Sequence, residues 1–294
     1  MSIETILSNS VIILNKPPKI INHEITTWVK KLSGSNRAGH AGTLDPDVSG
    51  VVPVALGRAT KLLQHIAKKD KTYVGIIKFR NIQGEADVKK LFEKFTGEIT
   101  QTPPKISAVK KVKRKRTIYY LKFLEQSKEN PRLVLFETKV DAGTYIRTLC
   151  EDIGKQCGGA RMEELRRIAV GTITEDQAVT IHDFIDALWL YKEKNDDSLI
   201  KKMLHTPEEF IDYPKLIVRE SAVKSLLTGA QLMAVGIEKF PETKKGDYVS
   251  LFTKSGMFIG IGIVQLNFED LTKDKGVAVK IDRIHIQRIP LVCD

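Results

Sequence analysis

Apolar positions recur along this 294-residue chain with two rhythms, a period near two that marks strands and one near 3.6 that marks helices. The apolar run at 11–14 predicts a short strand, closed by Asn15, Lys16, Pro17 and Pro18. Asn22 then reads as the cap of a helix whose apolar stripe is Ile25, Trp28, Val29 and Leu32. Residues 51–56 read as a buried strand or turn wall, and 58–69 as a helix that opens on cations. Residues 72–79 alternate and predict a strand; 86–95 predict a helix ending at Gly97. A strand at 133–140 precedes a helix at 145–156, closed by Gly158 and Gly159. Residues 162–168 read as a further helical piece, and 181–194 as a helix with Trp189 on its apolar side. The character shifts around Tyr213 and Pro214. A helix at 220–227, ending at Gly229, leads into strand-like runs at 248–253, 257–265 and 277–289, joined by Lys-Gly and Ser-Gly turns. The expectation is an α+β chain with one domain over 1–212 and a small β-rich domain over 213–294.

Composition narrows the function. Hydrophobic residues make up 42% of the chain, enough for a sizeable core. No apolar run reaches the length of a membrane span, so no membrane partner is expected. The opening MSIETILSNS lacks the pattern of a secretory signal. The three cysteines, Cys150, Cys157 and Cys293, form no disulfide framework and fit a reducing, intracellular compartment. Six scattered histidines without a CxxC or HxxxH pair argue against a structural zinc site. The chain has no GxxxxGK[ST], no GxGxxG after a strand and no GxSxG elbow. Neither a metal nor an organic cofactor is expected.

Charge points to an anionic polymer. The formal net charge is +11. Residues 213–294 carry only +3 of it, from 12 Lys and Arg against 9 Asp and Glu. The segment KISAVKKVKRKR at 105–116 packs seven cations into twelve residues and reads as an exposed loop between strands. Such a block is either a solvated surface or a clamp on phosphates, and binding by a clamp weakens steeply with salt.

Candidate chemistry gathers on residues 39–61, GHAGTLDPDVSGVVPVALGRATK. Gly39 and Gly42 admit backbone angles closed to other residues. Pro46 holds Asp45 in an extended conformation, so its carboxylate is fixed in direction. On these residues alone an ordinary Asp-Pro turn reads equally well. Tyr73, in the next strand, is either a core residue or a platform for stacking a base. Arg147 sits in the first turn of a helix, where a cation opposes the helix dipole, so a carboxylate should hold it. Glu151, one turn on, is the local choice.

The GTLDP stretch resembles the signature of the TruB/dyskerin family of RNA pseudouridine synthases, and so does GTYIRTL at 143–149. Lys16-Pro17 resembles that family's first, largely structural motif, and Leu165-Arg166-Arg167 a third. The resemblance runs from about Val11 to about Ile289. It implies a pseudouridine synthase catalytic domain with a mixed central sheet, followed by a PUA domain. It further implies that Asp45 is the catalytic residue, that Arg147 pairs with it, and that Tyr73 stacks on the target uracil. His40 would help to dock or flip the RNA. Lys71, Lys110, Lys111, Lys113, Arg114, Arg116, Arg166, Arg167 and, in the PUA domain, Gly229 are the expected RNA contacts.

Thr102-Pro103-Pro104, Ala178-Val179-Thr180-Ile181-His182-Asp183, Ala187–Tyr191 and Leu226-Leu227-Thr228-Gly229-Ala230 look like the dyskerin-type branch of archaea and eukaryotes. That branch implies an H/ACA guide RNA, small H/ACA ribonucleoprotein proteins as partners, and rRNA as main substrate with tRNA beside it. It implies a cytoplasmic location in an archaeon and a nucleolar one in a eukaryote. Members usually carry a longer N-terminal extension than the residues before Val11, and eukaryotic ones a lysine-rich tail. Two other readings stay open: a stand-alone synthase acting on the tRNA T-loop, and an RNA-binding scaffold without activity.

Overall fold

The structure, a computed structural model, describes residues 3–103, 110–267 and 276–285. Among them nine strands form the first sheet: β1 (Val11–Lys16), β2 (Ala38–His40), β3 (Ser49–Leu56), β4 (Lys71–Phe79), β5 (Gly97–Gln101), β6 (Arg114–Gln126), β7 (Leu133–Val140), β8 (Ala160–Val170) and β9 (Ile173–Thr174). The order is β1-β3-β8-β4-β7-β6-β5, with β2 added on β3 and β9 on β8. The sheet is mixed. β3 and β8 run parallel through two rungs, Ser49 with Arg166 and Gly50 with Arg167, whereas β1–β3 and β4–β8 are antiparallel. Seven helices accompany it: α1 (Ile3–Leu7), α2 (Asn22–Ser33), α3 (Leu63–Ala67), α4 (Glu85–Lys94), α5 (Ile146–Lys155), α6 (Ile181–Lys194) and α7 (Ser198–Met203).

Every second residue of β4 and β7 is buried, as a period of two on a one-faced sheet requires. Those residues meet the apolar stripe of α5, formed by Ile146, Leu149, Cys150 and Ile153, in the main core. A second sheet follows, built from β10 (Lys215–Val218), β11 (Leu232–Met233), β12 (Ile237–Lys239), β13 (Tyr248–Thr253), β14 (Phe258–Val264) and β15 (Val277–Ile284). It packs with α8 (Glu220–Leu227) around its own core, which includes Leu216, Val218, Leu226, Leu251 and Val279.

The two sheets meet along one seam. Leu62 packs against Phe258 and Ile261. His65 is buried, with Nε2 3.0 Å from Asp282 Oδ2 and Nδ1 3.1 Å from the Tyr213 hydroxyl. Tyr213 stacks on Tyr248, and Arg58 Nε donates to the His285 carbonyl at 2.8 Å.

Several expectations are corrected. Residues 162–168 are strand, not helix. Met162-Glu163-Glu164-Leu165 favours a helix locally, but β8 lies between β3 and β4 and is hydrogen-bonded on both edges, which overrides propensity. Residues 57–62 form a 3-10 turn rather than the start of an α-helix. Gly57 there has φ +52°, and a Cβ would lie 1.8 Å from the Ser8 carbonyl oxygen. Trp28 and Trp189 face solvent at 40% and 52% exposure, at the margins of stripes that Ile25, Val29, Phe184 and Leu188 bury. Asn22 does not cap α2; its buried side chain donates to the Leu44 carbonyl. Of the basic block at 105–116, Arg114 and Arg116 belong to β6, while 105–109 lies outside the described residues. Residues 286–289 of the last expected strand also lie outside them, as does Cys293.

Candidate active site

The turn between β2 and β3 carries Asp45, and it is held by its carbonyl oxygens. Arg167 Nη2 donates to the Gly42 oxygen at 2.8 Å, and Asn22 to that of Leu44. Lys16 Nζ reaches the Pro46 oxygen at 3.0 Å, and the Lys19 amide reaches it at 2.8 Å. Lys16 is fully buried, and it also binds the Pro17 and Ile20 oxygens. Burial pushes its ammonium below the usual lysine range, against the pull of Asp47. The Asp45 oxygen accepts from the Val48 amide at 3.0 Å and closes the turn. Backbone groups held this way leave the side chains at 43 and 45–47 exposed.

Arg147 comes to Asp45 from 102 residues away, not to Glu151. Its Nη2 donates to Asp45 Oδ2 at 2.9 Å. The side chains are 49% and 57% exposed. An ion pair this open contributes little to folding, so stability does not explain its placement. The start of α5 is fixed separately. Gln101, 3% exposed, accepts from the Tyr145 amide at 3.0 Å and donates to the Tyr145 carbonyl at 3.1 Å. Gly143, just before, has φ +80° and faces the Arg116 guanidinium, where an added Cβ would lie 3.1 Å from its Nη2. That contact brings the end of the basic block against the loop that carries Arg147.

Tyr73 pairs across β4 with Thr138 of β7 and Arg167 of β8. It is 8% exposed and belongs to the main core, with the Arg167 guanidinium beside it. His40, at the end of β2, lies between the Thr26 hydroxyl at 3.0 Å and the Thr43 hydroxyl at 3.3 Å. Burial and then the charge of Arg167 hold its imidazole below the ordinary histidine range, so it is neutral at pH 7.

Three expected RNA contacts make bonds within the protein. Lys71 is buried, and its ammonium donates to the Ala67 and Lys69 carbonyls. Burial pushes its pKa down to about 8. Arg167 is 1% exposed and bonded to backbone oxygens. Arg166 is half-buried, paired with Glu175 at 2.8 Å and bonded to the Asn15 side chain at 3.1 Å. Lys110, Lys111, Lys113 and Arg114 are exposed, whereas Gly229 ends α8 in the second sheet with φ +105°. Asn22 and Gln101 were not among the expected site residues. A cap-like Asn and a Gln beside a basic block give no sequence signal of a buried anchor. Alternation would not have found Arg167 either, because the register shifts along β8 break the period and its apolar positions fall on the phase of Arg166. Among the described residues no group of three His, Cys, Asp or Glu side chains could hold a metal ion, and no helix is long and apolar enough to cross a membrane.

Comparison with known proteins matches three family descriptions. Residues 30–146 match the TruB family pseudouridylate synthase N-terminal domain, 147–211 the tRNA pseudouridylate synthase B C-terminal domain, and 214–285 the PUA domain. The chain is 43% identical over 291 residues to a "Probable tRNA pseudouridine synthase B" of Pyrobaculum aerophilum, covering 98% of this chain and 86% of that protein. It is 40% identical to a protein of the same description from Nanoarchaeum equitans, covering 97% and 82%. Among solved structures it resembles a "Cbf5-Nop10-Gar1 Complex" with TM-score 0.91 and 36% identity, over 98% of this chain and 88% of that one. It resembles a chain of an "H/ACA RNP bound to a substrate RNA containing 2'-deoxyuridine" with TM-score 0.89 and 34% identity, over 98% and 88%.

Proposed function

This chain belongs to the dyskerin-type branch of the TruB family of pseudouridylate synthases, and we propose that within it the chain is the catalytic subunit of a guide-directed H/ACA particle. Its substrates are uridines selected in RNA, chiefly rRNA, and its partners are a guide RNA and small proteins. The observation that carries the site assignment is the open Asp45–Arg147 pair, formed between remote segments with little to gain in stability. The solved H/ACA complexes support the guide-directed reading. We divide the chain at 212 and 213, which the family matches ending at 211 and starting at 214 support.

In this reading the target uridine leaves its stack, which costs a few kcal/mol and less where it is unpaired. Asp45, aimed by Arg147, promotes cleavage of the N1–C1′ bond. Uracil turns on the wall formed by Tyr73 and re-bonds through C5. The C5 proton is released and N1 takes one up, so the reaction is an isomerisation. The exposed cations at 110, 111, 113 and 114 lie along the phosphate backbone.

The Asp45→Asn protein should bind RNA and form no pseudouridine; appreciable turnover would refute the site. The names of the curated relatives support a second reading, direct action on tRNA. Purified chain assayed on tRNA without guide, against the assembled particle on guide-matched RNA, separates the two. Product that appears only with guide and partner proteins supports the particle.

A further inference from the structure

Arg167 is a cation at 1% exposure that forms no ion pair among the described residues. Burying a charge without a carboxylate is expensive unless the hydrogen bonds it makes are good ones. Its Nε donates to the Val51 carbonyl in β3 at 2.8 Å, and its Nη2 to the Gly42 carbonyl in the Asp45 turn at 2.8 Å. In β4 the Tyr73 side chain lies beside its guanidinium. The backbone tells the same story. Arg167 is the residue of β8 that pairs with Gly50 on one edge and Tyr73 on the other, and the β4–β8 register shifts between Thr72 and Tyr73. A Cβ at Gly50 would lie 2.1 Å from the Arg167 carbonyl oxygen. One residue therefore spaces the strand leaving the Asp45 turn from the strand that carries Tyr73. Its backbone pairs with Tyr73 while its planar fork bonds β3 and the turn, which a lysine's point charge cannot do in fixed directions.

We propose that Arg167 is a positioning residue that fixes the Asp45 turn relative to Tyr73 from behind the site. It touches no substrate. The proposal rests on Asp45 and Tyr73 being the reacting pair, so Asp45→Asn is carried through the experiment as its reference. The measurement is single-turnover pseudouridine formation by the full chain at saturating RNA, together with RNA affinity. Variants are Arg167→Lys, Tyr73→Phe and the two combined. Misplacing a reacting group by about an ångström costs about 100-fold in rate, and Arg167→Lys should lose that much while RNA affinity stays within about threefold. The double variant should be scarcely slower than the slower single one, because both remove the same alignment. A purely structural role would give losses that multiply, or a loss in affinity that parallels the loss in rate, and either result overturns the proposal. Wild-type rate in Arg167→Lys overturns it as well. Turnover by Asp45→Asn would instead overturn the assignment of the site. Should Arg167→Lys not fold, Gly42→Ala tests the same contact from the half-buried turn. Gly42 has φ +74°, and its added Cβ would lie 3.1 Å from Arg167 Nη1. The rate should fall with RNA affinity retained; an unchanged rate overturns the proposal.

Discussion

Replacing Arg147 by Met separates what the Asp45–Arg147 pair does for the fold from what it does for the reaction. The pair is 2.9 Å long, and about half of each side chain is exposed. Exposed pairs contribute roughly 0.2–1 kcal/mol to stability, so Arg147→Met should unfold within about 1 kcal/mol of the wild type. Loss of aim on the carboxylate is a different quantity. A factor of about 100 or more in rate corresponds to about 2.7 kcal/mol or more of activation free energy, at 1.36 kcal/mol per tenfold. The reaction releases the C5 proton, so tritium release from RNA labelled at uridine C5, under single turnover at saturating RNA, reads the chemical step directly. Urea unfolding and RNA binding are measured beside it. Arg147→Lys keeps a charge but not the planar donor, and should recover only part of the rate. A rate within about fivefold of wild type, or a loss carried wholly by RNA affinity, would refute the positioning argument.

Two pH dependences follow from buried bases. Burial, with Arg58 and Lys61 nearby, pushes the His285 imidazole down to about 4. Between that value and its ordinary 6.5 the unfolded chain binds the extra proton, so stability is complete above about pH 6.5 and falls toward pH 4, by up to about 3 kcal/mol. His65, facing Asp282, Tyr213, Lys68 and Arg283, is lowered as well and adds in the same direction. Melting curves should drop over this range, more for the wild type than for His285→Phe; parallel curves would refute it. Lys71 gives the alkaline counterpart. With a folded pKa of about 8 against 10.5 unfolded, the folded protein gains stability as pH rises through 8 toward 10.5, by at most about 3 kcal/mol. The wild type should gain on Lys71→Met between pH 7.5 and 9 in chemical denaturation, and a flat difference would show that the buried ammonium is not desolvated.

The sequence was most legible where local rules and tertiary structure agree. β7, α6, α8 and β13 fall at the residues expected, because their apolar period, caps or turns point the same way. It misled where a tertiary partner decides. MEELRRI carries helix formers, yet it lies between two strands. Asn22 looks like a cap and serves as an anchor for a carbonyl 22 residues away. Lys71 is cationic in composition and interior in fact. The Asp45–Arg147 contact was not readable from spacing, since Glu151 offered a nearer carboxylate; only the resemblance of GTYIRTL to a known motif proposed it. The anchors Gln101, Asn22 and Arg167 bond backbone atoms, and backbone atoms leave no mark in an amino-acid sequence.

The distances along the chain set an order of events during synthesis. Arg147 lies 102 positions after Asp45, and Arg167 125 after the Gly42 carbonyl it binds. A chain leaves the ribosome N-terminus first. The segment with the carboxylate and the tyrosine is therefore outside while both arginines are still inside the tunnel or not yet made. During that interval Asp45 has neither its aim nor its spacing from Tyr73. If these residues hold the proposed roles, a growing chain forms no pseudouridine until its last central strand has entered the sheet.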